Sequence, residues 1–167
     1  GLRERLAASG EARRIAVSEE SLRAQLRALG YPAFAHVERA RVTPEPGVFL
    51  LEVLGRPDVD ARVVEGLPWV VRRCESDLDY RWLTRQVKLR DLQNRMGFVL
   101  QVAGVSAAGA LDAVAELGRA RLLAEATLCW DSMPAATREW VRVNRTDLAR
   151  YWNVLTMMRP EEVPDGS

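Results

Sequence analysis

The segment "NRMGFVLQVAG", residues 94–104, constrains the fold more than any other part of the chain. At about 100° of rotation per residue, Leu89, Leu92, Met96, Val99, Leu100 and Ala103 fall on one narrow helix face, and Phe98 and Val102 fall almost opposite. A helix that is apolar on two sides has to be enclosed by neighbours, so this one is expected to be central. Gly97 costs a helix up to about 1 kcal/mol relative to alanine, a cost accepted most readily where another backbone must come close. A phosphate cradle explains it less well, because a mid-helix N–H is already bonded within the helix. Asp91 and Arg95, four apart, are expected to pair along the surface.

The cover for such a helix also reads as helical. "SEESLRAQLRALGY" has Ser18 as N-cap, Glu19 and Glu20 in the first turn, Leu22, Leu26 and Leu29 on one face, and Gly30 as the stop. "TPEPGVFLLEVLG" predicts a short, buried helix capped by Thr43 and ended by Gly55. In "VDARVVEGLPWVVRRC", Gly66 and Pro68 predict a short helix, a break and a second helix. Asp79 is expected to cap the next helix, which bends between Val87 and Leu89 where the apolar phase slips. "SAAGALDAVAELGRARLLAEATL" reads as one Ala-rich helix capped by Ser106, and two more follow, capped near Ser132 and at Thr146. The only strand candidates are residues 13–17 and 34–42. A chain of 167 residues can hold one domain with a substantial core and a small appendage. The expected architecture is mostly α: a helical body over residues 43–158, a small helical or α/β unit over 1–42, and a flexible tail over 159–167.

Several function classes are disfavoured at this level. No apolar run approaches the roughly 20 residues of a bilayer span, so no membrane association is expected and a cytoplasmic protein is the natural reading. Cys74 and Cys129 lie far apart, outside any metal or redox spacing, and no cofactor is expected. Cys74 follows two arginines, but a small structural residue is the expectation. His36 is the only histidine, which rules out a multi-histidine metal site. The triplets Asp58-x-Asp60 and Asp77-x-Asp79 raise a metal-dependent enzyme as one reading. Each stands immediately before a predicted helix, where aspartates cap free N–H groups, so capping without metal is expected instead. With a net charge of +1, a domain that coats nucleic acid is disfavoured, although a local basic face is allowed.

Such a face is present. Arg72, Arg73, Arg81, Arg85, Lys88, Arg90 and Arg95 form the densest group of cations, interleaved with Tyr80 and Trp82. It suits an acidic protein surface or a nucleic-acid backbone. The bland reading pairs these residues with Glu75, Asp77, Asp79 and Asp91 on a solvated surface. The candidate partner-binding residues are Arg72, Arg73, Arg81, Trp82, Arg85 and Arg90, with a protein as the first choice of partner. Arg23 and Arg27, on the first helix, are the candidates for DNA contact if the chain is a DNA-binding transcriptional regulator, and a homo-oligomer is also compatible with the sequence. Of the five tryptophans, Trp69, Trp82, Trp130, Trp140 and Trp152, most are expected in the core, and any that is exposed would mark an interface.

The order "TPEPGVFLLEVLGRPDVDARVVEGL", "LDYRWLTRQV", "NRMGFVLQVAG" over residues 43–104 resembles the C-terminal domain of the abortive-infection AbiEi antitoxins. The matching positions are Pro44 and Glu45, then Leu78, Asp79 and Trp82, then Arg95, Met96, Gly97 and Phe98. The resemblance implies a toxin–antitoxin system in phage defence, with a non-enzymatic protein that neutralises a nucleotidyltransferase-like toxin and represses its own operon. Family members carry a winged helix-turn-helix before this domain. Here "VSEESLRAQLRALGY" is similar to the second helix of such a unit, without three helices and a wing, which sets direct DNA binding behind protein binding.

Overall fold

The computed structural model describes residues 19–165, and they are mostly helical. They fall into two units that divide between Pro44 and Glu45. In the first, helix α1 (residues 19–28) buries Leu22 and Leu26. It stops at Gly30, whose φ of 97° suits glycine, with Tyr31 N–H donating to Leu26 O at 3.1 Å and Gly30 N–H to Arg27 O at 3.0 Å. A 3-10 turn over Pro32–Phe34 follows, and the Phe34 ring stands edge-on to Tyr31 and to His36. Residues 34–42 do not form the expected strand. Their backbone groups are spent locally: Val37 N–H bonds to Phe34 O and Ala40 N–H returns to Ala24 O on the helix. The other strand candidate, residues 13–17, lies outside the described residues, as does the Ser18 cap.

The second unit comprises α2 (Pro46–Leu54), α3 (Ala61–Cys74), α4 (Tyr80–Leu89), α5 (Gln93–Val102), α6 (Ala108–Arg119), α7 (Ala135–Asn144) and α8 (Asp147–Tyr151). Two short strands, β1 (Ala126–Thr127) and β2 (Val154–Leu155), pair in parallel, Ala126 opposite Val154 and Thr127 opposite Leu155. The centre is α5, against which α3, α4, α6, α8 and both strands pack, and all its residues except Arg95 and Gln101 are buried. What approaches Gly97 is a side chain and not the expected backbone: a Cβ added there would stand 2.2 Å from the ring of Trp152. That indole lies fully buried across the glycine and donates its N–H to Gln101 Oε1 at 2.6 Å.

Several boundaries differ from the sequence reading. α2 begins at Pro46, and its cap is Glu45, whose carboxylate accepts from Gly47 N–H and Val48 N–H, not Thr43. α3 runs unbroken through Pro68, because the residues on both sides of the proline, from Val63 to Val71 apart from exposed Glu65, are buried together and hold the helix in register. The α4–α5 break falls after Leu89, which is exposed and off the core face, and Asp91 adopts a left-handed φ of 55° in the turn. Asp91 therefore does not pair with Arg95. Arg95 points inward, its Nε donating to Thr127 O at 2.9 Å and Nη1 to Leu54 O at 3.0 Å, with Asp131 at 3.8 Å.

α6 stops at Arg119, and the chain beyond it turns, bends and stays out of helix as far as β1. Buried Asn94 holds the segment there by taking both backbone groups of Leu122: its amide donates to Leu122 O and accepts from Leu122 N–H, both at 2.9 Å. The N-terminus of α6 is capped not by Ser106 but by Glu75, which accepts from Ser106 N–H at 2.6 Å and Ala107 N–H at 2.8 Å. α7 starts after Pro134 without a side-chain cap, whereas α8 is capped by Thr146 as expected. Residues 159–165 are not a free tail: they contain a 3-10 turn over Pro160–Glu162 and bury Val163.

Candidate functional site

The structure divides the basic group by use. Arg72 is half-buried and occupied: its guanidinium donates to Ala103 O and Val163 O, both at 2.7 Å, and to Pro164 O at 3.2 Å. It clamps the C-terminal segment against α3, helped by Trp69 Nε1–H donating to Asp165 O at 3.1 Å. Arg95 is equally internal, and Lys88 pairs with Glu116 at 2.6 Å. Arg73, Arg81, Arg85 and Arg90 are exposed, and among the described residues none of the four makes an ion pair. Arg81 and Arg85 stand one turn apart on α4, with half-buried Trp82 between them lying against Gly47. Arg23 and Arg27 are half-buried, with the Nε of each fully covered, so α1 presents neither as a wholly exposed side chain.

The aspartates of the two triplets have separate local duties. Asp60 caps α3 through Arg62 N–H and Asp79 caps α4 through Trp82 N–H. Asp77 lies in the 3-10 turn Glu75–Asp77. Asp58 is not a cap. It accepts from both Ser132 N–H, at 3.0 Å, and Ser132 Oγ, at 2.8 Å, and these bonds hold its carboxyl below the usual carboxylate range. Val59 N–H to Cys129 O and Asp131 N–H to Pro57 O complete this latch. Cys129 is buried, and Cys74 has its thiol pushed up by burial and by Asp77, which outweigh the lowering effect of Arg73.

The latch forms one wall of an apolar groove of about 500 Å3. Val59 and Val64 enter it from the start of α3, Leu128 and Trp130 from the loop after β1, Met133 and Val141 from α7 and its approach, and Leu155, Met157 and Met158 from β2 onward. Met133, Val141 and Leu155 form a small buried cluster with Met157 packed on it. Trp130 is 45% exposed, whereas Trp69 and Trp152 are core residues. Glu65 and Glu162 are the charged residues lining the groove, and both are exposed. Arg138 braces the wall by donating to Met133 O at 3.0 Å and Asp131 O at 2.6 Å. Trp140 is also exposed, at 57%, but does not line the groove.

Sequence reasoning did not find this groove, since its residues span positions 59 to 162 and only folding brings them together. The available signal was Trp130 lying in a loop followed closely by Met133, with Met157 and Met158 after the last helix. Comparisons with protein-family models, with curated proteins and with solved structures each return no match.

Proposed function

We propose that this chain is a non-enzymatic regulatory protein that acts by binding a partner protein, and that the groove beside Trp130 receives the partner's apolar side chains. The observation that carries this reading is a hydrogen-bonded, preformed apolar groove with a half-exposed tryptophan on its rim. Tryptophan is among the residues that dominate binding energy at interfaces, and methionine side chains reshape readily to fit an apolar insert. Glu65 and Glu162 favour an insert flanked by basic residues, such as an amphipathic helix with Lys or Arg beside its apolar face. The resemblance over residues 43–104 supplies a partner class, a nucleotidyltransferase-like toxin that the protein neutralises. Arg73, Arg81, Arg85 and Arg90 then offer a second contact to an acidic surface of a partner.

The test co-expresses the protein with a nucleotidyltransferase-like toxin, and measures toxin capture and rescue of growth. Trp130→Ser and the pair Glu65→Lys with Glu162→Lys are expected to weaken capture without unfolding the protein, since all three residues are exposed. Undiminished capture by both groove variants would sink the groove assignment. Loss only with Arg81→Glu and Arg85→Glu would move the contact to the basic face.

A further inference from the structure

A second cleft lies where the ends of α6 and α8 meet, independent of the groove. It measures about 370 Å3 and is lined by Arg119, Arg121, Leu123, Arg150, Tyr151 and Asn153 among others, with no carboxylate in its walls. Among the described residues, the one carboxylate ion-paired to any of the three guanidiniums is Asp147, 2.8 Å from Arg150, and that aspartate is fully exposed. Helix ends account for part of the charge, because Arg119 and Arg150 lie in the last turns of α6 and α8, where the dipole favours cations. Arg121 belongs to neither helix. Its Nε donates to Gly118 O at 3.0 Å and its Nη1 to Tyr151 O at 2.8 Å, and the guanidinium lies 3.9 Å over the Tyr151 ring.

A guanidinium fixed in this way has lost its rotamer freedom before any ligand arrives, and among the described residues its Nη2 donates to no acceptor. Three cations gathered around one concavity repel one another, and an anion with several acceptor oxygens relieves that repulsion while matching the planar donor forks. We infer that this cleft binds the phosphate groups of a small phosphorylated ligand. Arg119 and Arg150 would close on the oxygens from the two helix ends, with Arg121 as the fixed donor. The stacked pair of Arg121 and Tyr151 also offers a planar surface to a ring carried by the ligand.

The experiment titrates inorganic pyrophosphate and ADP, without metal and at low ionic strength, into the full chain by calorimetry. The variants are Arg119→Gln with Arg150→Gln in the cleft and Arg81→Gln with Arg85→Gln on α4, which remove the same charge from exposed positions and whose folding is checked by urea midpoint. Saturable binding is expected in the wild type and in the α4 variant, weakened at least about tenfold in the cleft variant. Tighter binding of ADP than of pyrophosphate would assign a ring to the Arg121–Tyr151 stack; equal binding would assign the phosphates alone. Absence of saturable binding, or equal weakening in both variants, overturns the inference.

Discussion

At Gly97 a missing side chain is a requirement of the core. A methyl added there would lie 2.2 Å from the Trp152 ring, well inside contact distance, and neither the central helix nor a fully buried indole has space to yield. Gly97→Ala is therefore expected to destabilise by about 1–3 kcal/mol despite its better helix propensity, and Gly97→Ala with Trp152→Leu to recover part of the loss. Urea denaturation of the two variants measures both effects. The sequence signals that something approaches Gly97 closely; it carries no signal that the visitor is Trp152, because that contact joins distant parts of the chain. Tyr80 gives a second test at this scale. Its hydroxyl donates to Glu75 O at 2.7 Å, and burial, aided by the charge of Glu75, pushes its pKa up to about 12. In an ultraviolet alkaline titration, Tyr80 is expected to ionise above the ordinary tyrosine value of about 10, a late step removed by Tyr80→Phe. Because the folded value is raised, its stabilising contribution is complete below about pH 10 and fades as pH rises towards 12.

Among elements, legibility follows how local the cause is. The caps Asp60, Asp79 and Thr146 act on N–H groups two or three residues away, and their spacing in the sequence reveals them. Glu75 caps α6 from the turn after α3, across a gap that no capping pattern spans. Ser106, the expected cap, contributes its N–H and not its side chain. Glu75→Ala is thus expected to cost about 1–2 kcal/mol, and Ser106→Ala little, in paired urea midpoints. The unbroken α3 and the shortened α6 follow the same logic in opposite directions. Burial on both sides of Pro68 overrides a local breaker, and Asn94 bonding to Leu122 diverts a segment of good local helix formers into non-helical chain. Asn94→Leu, which leaves two backbone groups of Leu122 without those partners, is expected to lose about 1–3 kcal/mol, measurable by the same denaturation.

Across the molecule, the mostly helical class was readable because apolar periodicity recurs in nearly every segment, whereas the strand pair was not. Two residues per strand leave no alternation to detect, and parallel pairing joins segments on either side of α7 and α8. The groove and the arginine cleft escape the sequence for the same reason, and so does the ion cluster that ties this region together. Glu125, just before β1, receives two hydrogen bonds from Arg142 of α7 at 2.9 and 2.7 Å, with Arg145 at 3.9 Å. Those bonds, opposed by desolvation, hold its carboxyl below the ordinary range. A depressed folded value contributes stability that is complete above about pH 4.5 and is lost below it, as pH falls through the lower folded value. Glu125→Gln is accordingly expected to be less stable than the wild type near neutral pH, with the gap narrowing as pH falls below about 4.5, as read from urea midpoints at several pH values. The indole over Gly97 also orders events in time. A ribosome delivers α5 well before it delivers Trp152, so a nascent chain holds its central helix with the slot above the glycine still open to water. Only when synthesis has passed α8 does the seal exist, so this core cannot be completed until Trp152 has been made, and the interval between α5 and α8 is the time when a chaperone has the most of it to cover.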